Sequence, residues 1–287
     1  MMKYLKLSLL FAFITLFIGC AMTSFIDNWQ TMETDYLNFL VEAGVSDTTE
    51  GHLQNMSETV QIAEGTQFIK GGNNLYRITD GKRKKVIGDV GDFVVLGSEI
   101  FYDNTKMGGL CKYNMLDETN KTILPESSGI FWFTVYNDEF LCLTYEDKAV
   151  LYNKKGELQS VISEDVGLLP EEIVLLGDYL FMFSNGEVKM VDLIRRKTEK
   201  IRANEGLAYN FAYAGKENIY YSSQAYGIRG DYSEEKVKSK WNGLWKISLA
   251  DIENEHYRSI RVSDTFYEKF YCIEDELYDV DFNRIAE

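Results

Sequence analysis

The sequence predicts an all-β protein: a β-propeller of six four-stranded blades behind an N-terminal lipoprotein signal and a short helical tether. Three observations predict it. An apolar triplet behind a tight turn recurs with a period near 40 residues. Aromatics make up 14% of the chain, with 19 Tyr and 17 Phe, and such side chains suit a pleated, half-buried surface. Gly is common (22) and Pro nearly absent (2), as in a chain of short strands turned by Gly, Asn and Asp.

The N-terminus reads MMKYLKLSLLFAFITLFIGC. Lys3 and Lys6 supply a positive start, and Leu7 to Ile18 form a nearly all-apolar run. A spanning helix needs about 20 apolar residues, so this run reads as the core of a signal peptide. Gly19 and Cys20 follow directly, in the arrangement of a bacterial lipobox. Phe17 stands where that pattern prefers Leu. The expectation is a signal peptide over 1–19, cleaved before a lipidated Cys20 whose acyl chains hold the protein on the membrane. Export then places it on the outer face of the cell membrane, or on an outer membrane where the cell has one.

Residues 20–61 are predicted as the lipidated Cys and a tether. Ile26, Trp29, Tyr36, Leu37, Leu40 and Val41 recur at helical spacing, and Gly44 follows as a terminating glycine would, so a helix is expected over about 25–43. Its polar face is acidic rather than Lys-rich, which favours a stalk over an interfacial helix.

The propeller domain is predicted over 62–287. Gly97-Ser98-Glu99-Ile100-Phe101-Tyr102 aligns with Asn137-Asp138-Glu139-Phe140-Leu141-Cys142, then with Gly177-Asp178-Tyr179-Leu180-Phe181-Met182, then with Lys216-Glu217-Asn218-Ile219-Tyr220-Tyr221. The strands on either side repeat in register, from Phe93-Val94-Val95-Leu96 before the turn to Leu110-Cys111-Lys112-Tyr113-Asn114 after the loop. Weaker copies stand at Phe68-Ile69-Lys70 with Leu75–Ile78 and at Phe270-Tyr271-Cys272 with Leu277–Val280, which makes six. A period near 40 with four strands per unit is the mark of a propeller blade. A lone blade cannot bury both faces, but a radial array can.

The stretches IFYDNTKMGGLCKYNMLDETNKTIL and NNLYRITDGKRKKVI resemble an uncharacterised bacterial lipoprotein family, a domain of unknown function. That family is described by its likeness to the propeller modules of low-density-lipoprotein-receptor-related proteins. The similarity covers about residues 62–281; Asp80-Gly81 fits the family's turn, and Asp117-Glu118 is a degenerate copy of it. The resemblance implies a six-bladed fold and an exported, often lipid-anchored protein. It implies no activity.

The formal net charge is −15, and the longest basic run is Lys82-Arg83-Lys84-Lys85. Nucleic acid is bound largely through Lys and Arg on phosphates, so it is not an expected partner. The only histidines, His52 and His256, form no paired-His metal spacing, and there is no nucleophile elbow or phosphate-binding loop. No metal site, catalytic residue or cofactor is predicted. Cys111, Cys142 and Cys272 read as small buried hydrophobes, with a Cys111–Cys142 disulfide left open by the exported setting.

Two features point to function. The stretch SSQAYGIRGDYSEEKVKSKWNG, residues 222–243, is much longer than the corresponding loops, and it carries Tyr226, Arg229, Tyr232 and Trp241. Tyr, Trp and Arg are frequent interface anchors, and long loops on rigid scaffolds often carry function. These four residues are the predicted ligand-binding set for an unknown envelope protein or glycan. The alternative is a glycan hydrolase using channel carboxylates, with Asp103, Glu146 and Asp279 placed where strands lead into loops.

Overall fold

A computed structural model describes residues 35, 37–42, 45, 60–167, 170, 172–184, 187–203, 207–225, 242–256, 258–273 and 275–285. The predicted signal, Cys20, most of the tether and residues 226–241 lie outside this set. The chain divides into two units, Met1–Ser46 and Asp47–Glu287. In the first, the backbone is helical at 35 and 37–42, inside the span that the apolar spacing predicts. No helix among the described residues is long and apolar enough to cross a membrane.

The second unit is a series of antiparallel meanders. Blade 1 comprises β1 (Val60–Ala63), β2 (Thr66–Gly71), β3 (Asn74–Thr79) and β4 (Lys82–Gly88). Blade 2 comprises β5 (Val90–Leu96), β6 (Glu99–Asn104), β7 (Leu110–Asn114) and β8 (Thr119–Leu124). Blade 3 comprises β9 (Ile130–Tyr136), β10 (Glu139–Thr144), β11 (Lys148–Tyr152) and β12 (Leu158–Ser163). Blade 4 comprises β13 (Glu172–Leu176), β14 (Tyr179–Ser184), β15 (Glu187–Asp192) and β16 (Lys197–Ala203). Blade 5 comprises β17 (Leu207–Ala214), β18 (Asn218–Ala225), β19 (Gly243–Ser248) and β20 (Ile260–Ser263), with a short helix Leu249–Glu253 between the last two. A two-stranded hairpin follows, β21 (Tyr271–Ile273) and β22 (Glu276–Tyr278).

The expectation of six four-stranded blades is therefore corrected: among the described residues five sheets have four strands, and the sixth copy is a hairpin. The repeat predicts Phe270–Cys272 and Leu277–Val280 as the second and third strands of a blade. In the structure β21 lies against β17, the first strand of blade 5, and the Asp275 turn packs on the first turn of that blade, Lys216 to Asn218, which makes them the first and second. Tight turns join both kinds of strand pair, so the apolar pattern alone did not distinguish them.

Period-2 geometry sends alternate residues to opposite faces of a sheet, and here both faces are apolar. On β6, Ile100 and Tyr102 join a core with Phe68, Leu75 and Ile87 of blade 1. Between them Phe101 points the other way, into a core with Phe133, Phe140 and Cys142 of blade 3. On β10 the alternation repeats: Phe140 and Cys142 face blade 2, while Leu141 and Leu143 face Leu175, Leu180 and Met182 of blade 4. Phe181 and Phe183 of β14 then meet Ile219, Tyr221 and Trp245 of blade 5. Tyr220 and Leu244 meet Phe270, Cys272 and Leu277 of the hairpin. Each seam holds a layer of aromatic and aliphatic side chains, and the series of seams sets the blades side by side.

The alternation also separates the cysteines. Cys111 lies in the seam of blades 1 and 2, Cys142 in that of blades 2 and 3, and Cys272 in that of blade 5 and the hairpin. All three are free, so the disulfide left open by the sequence does not form. Burial raises the thiol pKa of each, which makes them unreactive.

Polar links tie neighbouring first strands. Gln61 of β1 is 1% exposed. Its amide donates to the Val95 carbonyl at 3.3 Å and accepts from the Val95 amide at 2.9 Å. At the turn end, Tyr136 donates to Asp178 of blade 4 at 2.6 Å. Asp275 of the hairpin accepts from the amides of Lys216 and Glu217 and from the side chain of Asn218 at 2.9–3.1 Å.

Candidate functional site

The site follows from a bulge. On β5, Val90 pairs with Asn104 and Phe93 with Tyr102, so Gly91 and Asp92 together oppose the single residue Asp103. Two residues against one bend a strand and re-aim its side chains. Gly91 leaves room for Asp103: a Cβ there would lie 2.6 Å from the Asp103 carboxylate, so a side chain would force that carboxylate to shift. Lys70 of β2 reaches across the seam and donates to the Gly91 carbonyl at 3.2 Å.

Lys70, Asp92 and Asp103 are each half-buried. Burial pushes the Asp92 carboxyl above its usual range, and Lys70 opposes that shift. Asp103 is raised by burial first and by the charge of Asp92 second, again against Lys70. Two carboxyls that disfavour simultaneous ionisation, beside an ammonium, form an arrangement able to hold a proton and to bind a hydroxyl- or amine-bearing ligand.

The position has meaning within the repeat. Asp103 lies four residues beyond Glu99, which closes the first turn of its blade, and the same place is held by Lys70, Leu143 and Phe183 in blades 1, 3 and 4. An ionisable residue thus replaces a core residue in two adjacent blades. At the same level of blade 5, Ser222 is fully buried, and its hydroxyl has no hydrogen-bond partner among the described residues.

Of the predicted carboxylates, only Asp103 enters this cluster. Glu146 is exposed and paired with Lys148 at 2.8 Å. Asp279 lies near the end of the chain, where it accepts the amides of Asp281 and Asn283 at 2.9 Å and closes a turn. The three belong to different blades and serve different ends. Asp92 and Lys70, which complete the cluster, were not singled out from the sequence. Among the described residues, no three His, Cys, Asp or Glu side chains are grouped to hold a metal.

Tyr226, Arg229, Tyr232 and Trp241 lie outside the described residues. Their setting is partly defined: β18 runs to Ala225 and β19 begins at Gly243, so residues 222–225 of the predicted loop are strand. The corresponding connections are 72–73, 105–109, 145–147 and 185–186 in blades 1 to 4, against 226–242 in blade 5.

No family model matches this sequence, and no curated protein sequence matches it. Solved structures do resemble it. The extracellular domain of BT4673 from B. thetaiotaomicron matches at 10% identity with a TM-score of 0.52, over 78% of this chain and 34% of that one. This chain thus spans about a third of the length of that structure. A nidogen/laminin complex matches at 11% identity with a TM-score of 0.45, over 71% of this chain and 74% of that one. The likeness to the first shows the fold, a β-propeller of repeated blades.

Proposed function

We propose that this chain is an exported β-propeller, anchored by lipid on Cys20, that acts as a binding or scaffolding module for an envelope protein or glycan. The observation that carries the reading is the contrast between blade 5 and the rest. Four blades join their second and third strands by short connections, while the fifth inserts 226–242 on an otherwise repetitive frame. That insertion holds Tyr226, Arg229, Tyr232 and Trp241, residue types suited to anchoring a partner. That the B. thetaiotaomicron relative in fold is an extracellular domain is consistent with export.

The test is a crosslinked pull-down from the native envelope, with the full-length protein beside a variant whose 226–241 segment is replaced by a short Gly-Ser turn. A stoichiometric partner lost with the segment supports the reading; a partner kept by both baits moves the site elsewhere. Membrane fractionation of Cys20→Ala tests the anchor separately. Release of the protein, or an uncut precursor, is expected; normal cleavage with unchanged attachment refutes lipidation.

A second reading, a hydrolase of envelope glycan, is favoured by the Asp92–Asp103–Lys70 cluster. Asp103→Asn in a glycan-hydrolysis screen tests it: activity abolished by that change identifies an enzyme, and activity unaffected by it removes this cluster from the chemistry.

A further inference from the structure

The surface of blade 1 carries a second feature, which the binding reading above does not use. β3 and β4 place Arg77 directly opposite Lys84, with the pair Tyr76↔Lys85 beside it. Lys82, Arg83, Lys84 and Lys85 are all exposed. Like charges facing each other across a ladder are destabilising. Arg77, Lys84 and Lys85 form no ion pair among the described residues, although the chain carries a net charge of −15. Carboxylates are plentiful, yet none of the described ones forms an ion pair with these three cations.

The cations line a cavity. A cleft of about 200 Å³ lies between β3–β4 and the end of β7, walled by Arg77, Lys84, Lys85, Val86, Tyr113, Met115 and Glu118. The bulge between Leu75 and Tyr76 leaves Val86 without a cross-strand partner, and Val86 forms part of the wall. One side of the cleft is therefore cationic, and the rest is aromatic and apolar apart from Glu118. We infer that this cleft binds a phosphate-bearing ligand, with the phosphate held by Arg77 and Lys84 and the attached group lying on Tyr113, Val86 and Met115.

The size of the cleft argues for a small headgroup rather than a polymer. Screening at physiological salt limits the field of the acidic surface to about 8 Å, so short contacts in the cleft can hold an anion that the protein as a whole repels. An extended polyanion would run out over that acidic surface. The phosphate could belong to a soluble ester or to a lipid headgroup, and the chemistry of the cleft is the same for both.

Inorganic pyrophosphate, titrated calorimetrically into the propeller-containing chain at low and high salt, is the first probe. Saturable binding that weakens with salt is expected. Arg77→Gln/Lys84→Gln should weaken it at least about tenfold, the loss of two charge-assisted contacts. Lys121→Gln/Lys155→Gln, which removes the same charge from exposed positions on other blades, should leave it within about twofold. The first double variant relieves a like-charge pair, so its thermal midpoint should not fall. Co-sedimentation with phosphatidylglycerol or phosphatidylcholine vesicles identifies the source. Retention on the anionic vesicles alone, lost in Arg77→Gln/Lys84→Gln, assigns a lipid headgroup; pyrophosphate binding without vesicle retention assigns a soluble ester. No saturable binding of either probe overturns the inference. So does an equal loss in both double variants.

Discussion

Replacing Gln61 tests whether polar links between first strands hold the blades in place. The side chain is buried and satisfies both backbone groups of Val95 across the seam, at 2.9 and 3.3 Å. A net hydrogen bond contributes about 0.5–1.5 kcal/mol, and a buried polar group left without a partner costs about 1–3 kcal/mol. Gln61→Ala removes two such bonds and strands the Val95 amide and carbonyl, for an expected loss of about 2–4 kcal/mol. Gln61→Leu keeps the volume and isolates the polar part. Urea unfolding followed by tryptophan fluorescence gives both values. If Gln61→Leu lies within about 0.5 kcal/mol of the parent, the side chain is packing material and the reasoning fails. Gln61→Glu adds a pH signature. A buried carboxyl here has its pKa raised, so its cost is small at low pH and grows as pH rises through and beyond the usual Glu range. The deficit of Gln61→Glu relative to the parent should be larger at pH 7 than at pH 4, and a pH-independent deficit counts against it.

Three further outcomes are expected. Asp92 has a raised pKa in the folded state, so its contribution falls as pH climbs above the ordinary Asp value; Asp92→Asn should raise the unfolding free energy at pH 7 by more than at pH 4, and an equal change at both would show that charge burial is not the cause. Phe140 is fully buried, with its ring centre 4.8 Å from that of Phe101; Phe140→Ala should cost about 3–5 kcal/mol, whereas half-buried Phe131 should cost under about 2 kcal/mol when truncated, and similar losses would argue against a packed seam between blades 2 and 3. Asp275→Ala removes three acceptor contacts from the hairpin to blade 5; a loss of about 1–2 kcal/mol is expected, and amide exchange should quicken at Cys272 and Ile273 but not in blades 2 and 3, while uniform quickening would show that the hairpin does not open by itself.

Much of the fold was legible because a propeller states its rule repeatedly. Ile100-Phe101-Tyr102, Phe140-Leu141-Cys142 and Leu180-Phe181-Met182 are apolar on both faces. A strand apolar on both faces needs a neighbour on each side, and copies in one register imply that the neighbours are one another. The strand identity in the last copy was not legible. Phe270 and Cys272 occupy the seam with blade 5 as Phe93 and Val95 occupy the seam with blade 1, but apolar alternation is shared by first and second strands. What separates them is the placement of β21 against β17 and of Asp275 on the first turn of blade 5.

The candidate site was hidden by a one-residue slip at the other end. Reading Phe68-Ile69-Lys70 as the first triplet makes Lys70 the counterpart of Tyr102. The pairing Ala63↔Thr66 instead aligns Gln67-Phe68-Ile69 with the triplets and sets Lys70 level with Asp103. In that register, two neighbouring blades carry a cation and an anion where Leu143 and Phe183 form core in the next two. A slip of one residue exchanges the faces of a strand, so it turned a paired departure from the repeat into an apparently weak copy of it. In a repetitive fold the informative positions are those where one blade abandons what the others share, and they can be found only after every copy is aligned on its turn. Lys70, Asp103 and the residues from 226 to 242 are such departures, and ligand recognition is sought first where they lie.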